Sequence, residues 1–504
     1  MSAMTAHSRP WFTDSWLRGC PKFFLTLLLA HCISASVTST PVQALLPAGF
    51  ATKGLTSHWF HGPVNYKALV IAIDFAVYFF HMYLRYRQYQ CYKRQTRPTA
   101  IVDLVSEEQF VRSNAYGLDN WWLSCVTSTV NQAMDFVIMY YDLLPWVWNT
   151  MGAVLTQHGG LGPEYELTYS MVYFTLFGLH EWLLMLPFGL YDTFVVEARY
   201  GFNKQSLGLY LRDLVLDTLL TSTLAAGVIA ALVGVIRWAG PAFFVYAGAT
   251  LTALSWIMFF LSILIEPLFN TFTPLQDGEL KEQVEALANR LKFPLAKLYV
   301  VDASKHTEHS NAYVDGVFRN KRIVLYDTLV KQLDNEEICA VVGHELGHWK
   351  LNHVVKNVLI SPIETFIQLY LLSFIVYNPA VYHSFGFHDT LPLVAGITIF
   401  YQLYQPVGNA LGFATNILSR RDEFEADAFA VRLGYARPLR TALIKMGQKG
   451  LSNMVPDPWF SAYHHTHPSL VERLAAIEAA QVAHATATSS EGQPLLSAGS
   501  TPCH

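Results

Sequence analysis

The sequence predicts a polytopic, all-α membrane protein, on three observations. Of 504 residues, 52% are apolar and 14% charged, whereas an average soluble domain is roughly 25% charged. Mean hydropathy is +0.26, with the apolar residues gathered in long blocks. Seven of those blocks approach the roughly 20 residues that cross a bilayer as a helix. Disorder, a fibrous repeat and an ordinary soluble enzyme all fit poorly. A net charge of −4 offers no basic field for nucleic acid. The six cysteines are scattered and form no CxxC pair, so neither a disulfide framework nor a thiolate zinc site is indicated.

The elements follow in chain order. Residues 1–60 form an N-terminal extension in which Arg18 and Lys22 precede the apolar run Phe23–Ala30 and the small residues Ser34-Ala35-Ser36 follow, as in a signal peptide. Five spans, at about 67–84, 121–149, 168–192, 214–236 and 241–265, make a membrane domain over 61–270. The second and third contain Asn131, Gln132, Asp135 and Asp142, then His180 and Glu181; ionisable groups at that depth face a bundle interior or the interface. A polar segment, 271–353, is followed by a two-span hairpin over 354–416 with spans at 354–377 and 391–415. Residues 417–483 form a second polar segment, and the small, polar stretch 484–504 has no periodicity and is expected to be disordered. Arg85, Arg87, Lys93, Arg94, Arg97 and Arg112 lie between the first two spans, and Arg199, Lys204 and Arg212 between the third and fourth, whereas 150–167 and 378–390 carry no Lys or Arg. This asymmetry places both polar segments on the cytoplasmic side.

Chemistry enters at Gly343-His344-Glu345-Leu346-Gly347-His348 in the first polar segment, in a helix-compatible run with Asp334 as N-cap. His344 and His348 are one turn apart, so both imidazoles reach one metal, and neutral imidazole suits Zn²⁺. Glu345 lies about 100° round the helix, where it reaches a water beside the metal as a general base. A metzincin would continue with Gly and His where Leu351 and Val354 stand. His353 lies five residues beyond His348, which points it away from the ligand face and suggests an interfacial position.

The third ligand is sought in Arg421-Asp422-Glu423-Phe424-Glu425-Ala426-Asp427. Glu423 and Asp427 share a helix face. Glu423 suits the metal, and Asp427 the free ring nitrogen of a ligating histidine. The two-span hairpin returns residue 423 to the side of residue 344. His464-His465-Thr466-His467-Pro468 offers His467 as a donor to a developing oxyanion, and Arg473 as an ordering partner for a carboxylate.

Together these residues resemble the CAAX prenyl protease type 1 family of integral-membrane zinc metalloproteases. The likeness runs from about residue 60 to 480. It includes the blocks Glu197–Lys204, His309-Ser310-Asn311-Ala312-Tyr313 and Asn320–Thr328. The resemblance implies one zinc per chain held by His344, His348 and Glu423, with Glu345 activating water. It also implies support from Asp427, His467 and Arg473, and an edge strand at Asn311-Ala312 that pairs with extended substrate. The implied fold is a chamber of seven long helices capped by a zincin-like domain with a small β element. The implied reaction removes the last three residues of farnesylated C-a-a-X proteins at the endoplasmic reticulum or inner nuclear membrane, in some members with a second upstream cut. The implied partners are prenylated proteins and the lipid bilayer. Nothing in the sequence bears on oligomeric state. The rival readings are a membrane quality-control protease acting on unprenylated clients and an inactive scaffold, against which the intact HExxH set argues. An intramembrane protease would bury that motif in a span, whereas Lys331, Asp334, Glu336, Glu337 and Lys350 flank it.

Overall fold

The first helix, α1 (Tyr66–Tyr92), opens at Asn65, whose side chain accepts from the Ala68 N–H at 3.0 Å. The structure, a computed structural model, describes residues 65–491 except 95–96, 98–100, 103–104, 163, 266–269, 306–310, 318–319, 452 and 454–455. The signal-like segment, His309-Ser310 and the last residues of the expected tail therefore lie outside the described residues.

Helix α2 (Glu107–Tyr140) packs on α1, and a capping box between Ser106 and Gln109 starts it. The expected continuous span 121–149 is in fact broken: Asp142 is left-handed (φ 53°), its carboxylate accepts from Lys67 Nζ at 2.7 Å, and α3 (Leu143–Gly159) starts afresh. Asp tolerates that conformation better than most residues, and Pro145 sits in the new first turn, where its missing N–H costs nothing. Helix α4 (Glu166–Tyr191) runs through a wide π turn at Asp192–Glu197 into Ala198–Tyr200. Helices α5 (Leu207–Ala239) and α6 (Phe243–Ile265) are joined by a single turn. The buried core of these helices is apolar and aromatic, with Tyr173, Val233 and Phe243 fully enclosed. Their outer faces are apolar as well: Leu219 is 62% exposed and Leu183 59%. Apolar exposure on that scale fits contact with lipid rather than water.

The polar segment builds a four-stranded sheet with α7 (Glu279–Arg290) against it. The strands are β1 (Phe272–Pro274), β2 (Leu295–Val301), β3 (Ala312–Val317) and β4 (Asn320–Tyr326), in the order β1-β2-β4-β3. Strands β2 and β4 are parallel; β3 pairs antiparallel with β4, Ala312 opposite Leu325, and forms one edge. A short α8 (Asp327–Gln332) leads into α9 (Asn335–Lys350). Ile338, Val342 and Leu346 of α9 pack into the core of this sheet, and β3 lies alongside the helix.

Helix α10 (His353–Ser373) packs on α6, and the short α11 (Pro379–Ser384) turns the chain into α12 (Leu393–Arg432). The last expected span and the ligand-bearing stretch after it are one 40-residue helix. Its first half packs into the hydrophobic cluster of the N-terminal helices at Val394 and Ile399, and its second half lies against α9. Helices α13 (Ala436–Lys449), α14 (Pro458–His464) and α15 (Leu470–Glu491) follow. Helix α15 runs on to Glu491, beyond the point at which disorder was expected, because the alanine-rich run 475–485 is a strong helix former.

Among the described residues, three helical stretches are long and apolar enough to cross a membrane by length and composition: Tyr66–Tyr92, Glu166–Tyr200 and Leu207–Ile257. The last covers the span expected at 214–236 and most of the one expected at 241–265. The stretches expected at 121–149, 354–377 and 391–415 are helical over most of their length but carry polar residues such as Asn131, Asp135, Glu364 and Gln402, which lower their hydropathy.

Candidate active site

Two helices meet to make the site. In α9, Asp334 caps the Glu337 N–H at 2.9 Å and Glu337 returns to the Asp334 N–H at 3.0 Å. The buried Glu337 carboxylate is neutralised by Lys445 at 2.6 Å. So anchored, α9 lays Gly347 against α12. A Cβ at residue 347 would stand 3.2 Å from Ala426 Cα and 3.3 Å from its carbonyl oxygen. A side chain there would force the facing turn of α12 to give way by a few tenths of an ångström.

The approach brings three candidate ligands together. His344 Nε2 and His348 Nε2 are 3.2 Å apart; Glu423 Oε2 is 3.5 Å from the first and Oε1 3.3 Å from the second. A tetrahedral zinc with bonds near 2.0–2.1 Å separates its ligands by about 3.3–3.4 Å, and the three spacings bracket that value. All three residues are buried. Glu423 Oε2 is also enclosed without a hydrogen bond, although His467 Nδ1 is 2.9 Å away. A buried carboxylate oxygen crowded by imidazole nitrogens but bonded to none fits a cation at the centre. Burial would raise the Glu423 pKa, but His344, His348 and His467 outweigh it and hold the group well below its usual range.

Asp427, one turn further along α12, accepts from His344 Nδ1 at 2.8 Å, leaving Nε2 for the metal. Arg473 of α15 grips Asp427 with Nε at 2.8 Å and Nη2 at 2.6 Å. Burial opposes the charge on Asp427, but Arg473 and His344 prevail and bring its pKa down to about 2. Burial likewise disfavours a charged His344, yet Asp427 lifts its pKa to about 10. Glu345 is half-buried, next to His344 and close enough to Arg473 to interact electrostatically. The His467 side chain is 42% exposed at the mouth of the site. Asn311 and Ala312 stand where β3 begins, beside α9; the Asn311 carbonyl accepts from the Tyr326 N–H at 3.0 Å, and Ala312 is buried.

Two residues that the sequence reading did not assign to the site belong to it. His353, expected at the interface, is buried with Nδ1 3.0 Å from His348 Nδ1. The helical extrapolation failed because α9 stops at Lys350 and Asn352, left-handed at φ 60°, turns the chain back. Arg420 is also buried. It donates to the His467 carbonyl at 3.2 Å, to Ser461 Oγ at 3.0 Å and to Glu472 at 2.8 Å, tying the His467 loop to α12. Its position three residues before Glu423 and seven before Asp427, on the same helix face, is the signal that could have found it.

Comparison with known proteins gives a consistent set of likenesses. Residues 88–271 match the family described as CAAX prenyl protease N-terminal, five membrane helices, and residues 274–481 match peptidase family M48. The chain is 44% identical to the CAAX prenyl protease 1 homolog of Arabidopsis thaliana, over 82% of this chain and 98% of that one. It is 36% identical to the human CAAX prenyl protease 1 homolog, over 81% and 94% of the two chains. The crystal structure of S. mikatae Ste24p superposes with a TM-score of 0.79 at 34% identity, over 83% of this chain and all of that one.

Proposed function

The chain belongs to the CAAX prenyl protease 1 family of M48 peptidases, and from that premise we propose that it is a zinc metalloendopeptidase. Its reaction removes the last three residues of farnesylated C-a-a-X proteins at the membrane. The observation that carries this reading is the donor set His344, His348 and Glu423 at tetrahedral spacing, with Glu345 beside it.

One zinc bound by these three residues supplies a Lewis acid for the scissile carbonyl and acidifies water towards neutral pH. Glu345 takes the proton of the attacking water and returns it to the leaving amine. His467, half-exposed at the mouth, donates to the oxygen on which charge develops. Asp427 fixes the tautomer of His344, and Arg473 holds Asp427 in place. The edge strand β3, starting at Asn311 and Ala312, pairs with the extended substrate backbone, which gives affinity with little demand on side chains.

We read seven spans: the five-helix N-terminal region, α10 and the first half of α12, arranged around a hydrated chamber beneath a zincin-like cap. Asp74 and Asn409 support the chamber, since each is buried with side-chain atoms that make no hydrogen bond, and enclosed water satisfies such groups. We place the site on the cytoplasmic face of the endoplasmic reticulum membrane. Arg87, from the basic end of α1, binds Asp457 at the start of α14 at 2.9 Å, putting the Lys/Arg-rich end and the His467 region on one side.

The test is a C-a-a-X peptide, farnesylated or bare, incubated with purified protein in detergent and mapped by mass spectrometry, with Glu345→Gln as the blank. Loss of three residues from the farnesylated peptide alone supports the reading. Equal cutting of both peptides replaces it with a broad membrane protease.

A further inference from the structure

Directly behind the ligand set lies a second group of donors: His353, Asp422 and Glu425 place ligand-type atoms within 4.8 Å of one another. Two observations determine what it can do. Its carboxylates are already met by cations, Asp422 by Lys356 Nζ and Glu425 by Arg421 Nε at 2.7 Å. His353 divides its two nitrogens between different partners. Nδ1 lies 3.0 Å from His348 Nδ1, and Nε2 lies 3.2 Å from Glu425 Oε2. An ion in this cluster would have to displace two cations and break the hydrogen bond between His353 Nε2 and Glu425.

We propose that His353 is a positioning residue for His348, forming with Glu425 a two-imidazole relay that fixes which nitrogen of His348 faces the metal. This rests on the metal reading given above.

The polarity of the relay follows from the chemistry of imidazole. His348 Nε2 faces His344 and Glu423 and must present its lone pair there, so Nδ1 carries the proton. That proton points at His353 Nδ1, which must then be the acceptor. The remaining proton of a neutral His353 sits on Nε2, facing the Glu425 carboxylate, which can only accept when ionised. Each nitrogen thus has one role, and the chain of donors runs without conflict from His348 to the carboxylate.

The arrangement differs from that around His344, which meets its carboxylate, Asp427, directly. A second carboxylate placed directly on His348 would add another buried negative charge beside Glu423 and Asp427, and an unpaired buried charge is costly. Interposing a neutral ring moves that charge out to Glu425, whose side chain is 40% exposed and paired with Arg421. The turn at Asn352 makes this possible by bringing His353 back beneath His348.

The test measures zinc affinity of the purified full chain in detergent by chelator competition, with zinc per chain and the melting temperature in excess zinc recorded in parallel. His353→Phe keeps bulk but removes the acceptor, and should weaken zinc about 10- to 100-fold, the usual effect of losing an outer partner of a ligand. His353→Asn, whose side-chain oxygen can occupy the place of Nδ1, should recover most of that affinity. Unchanged affinity in His353→Phe, or equal losses in both variants, would overturn the relay. So would two zinc ions per parent chain with one lost in His353→Phe, which would make the cluster a metal site. Should His353→Phe not fold, Glu425→Ala decides: the relay requires several-fold weaker zinc, and affinity equal to the parent's overturns it. A parent chain that holds no zinc sinks the metal reading itself, and the relay with it.

Discussion

Arg473 and Asp427 form a two-point ion pair, Nε to Oδ2 at 2.8 Å and Nη2 to Oδ1 at 2.6 Å, while Oδ1 of the same carboxylate lies 2.8 Å from His344 Nδ1. Helices 46 residues apart in the chain are thereby joined at a ring nitrogen of a candidate ligand. Asp427→Asn should keep the fold but let His344 choose the wrong tautomer. Zinc affinity should fall by about 10- to 100-fold in a chelator titration. Arg473→Ala should be the harsher change, costing about 3–5 kcal/mol by leaving a buried carboxylate unpaired, and should show as a lowered melting temperature.

Glu345 is adjacent to His344 but is not one of the three clustered donors. Glu345→Gln should therefore retain zinc at the parental level while turnover of a farnesylated peptide drops by about 10²- to 10⁴-fold. Metal analysis and single-turnover cleavage on the same preparation check both halves.

The close packing of Gly347 on α12 predicts a specific sensitivity. Gly347→Ala puts a methyl group 3.2 Å from Ala426 Cα, a backbone atom that cannot swing aside. The expected cost is about 1–3 kcal/mol of stability, together with weaker zinc binding as α9 moves off Glu423. Retained melting temperature and affinity would contradict the close approach.

Arg420 donates to the His467 carbonyl, Ser461 and Glu472, and is not one of the three candidate ligands. Arg420→Gln should release the His467 loop and reduce kcat by about 10- to 100-fold through misplacement of the oxyanion donor. Zinc content should stay the same. The split between kcat and metal content distinguishes this from damage to the ligand set.

Asp457 supplies a pH signature outside the site. Burial would raise its pKa, but Arg87, together with the Trp459 and Phe460 N–H groups, holds it below the ordinary carboxylate value. A depressed folded pKa means stability that is fully present above the unfolded value, about 3.9, and is lost as pH falls through the folded one. Asp457→Asn should therefore lower the melting temperature at pH 7 but much less at pH 3. An equal drop at both would remove the assignment.

Several of these features were legible before folding. Two histidines four residues apart must share a face if the run is helical, and the capping residue Asp334 and the Glu337 three residues after it marked where that helix starts. Four of the seven apolar blocks, at about 67–84, 168–192, 214–236 and 241–265, coincide wholly or in large part with the helical stretches long and apolar enough to cross a membrane, since length and composition act locally. Local signals failed where the chain changes direction. Asp142 breaks a stretch that reads as one span, and Asn352 returns His353 to a site that helical extrapolation had pointed it away from.

Composition and spacing were sufficient for the membrane class, for the HExxH helix and for a shortlist of carboxylates, because each depends on residues within one or two turns. The distance between His348 and Glu423 belongs to the tertiary structure, since 75 residues and two long helices separate them in the chain. It was set by Gly347 against Ala426, by the single 40-residue helix that carries both buried hydrophobic core and Glu423, and by Arg473 reaching in from α15. Burial then changed what those groups are. The same carboxylates that would be solvated on an isolated helix are held ionised among imidazoles and an arginine, and only packing supplies that environment.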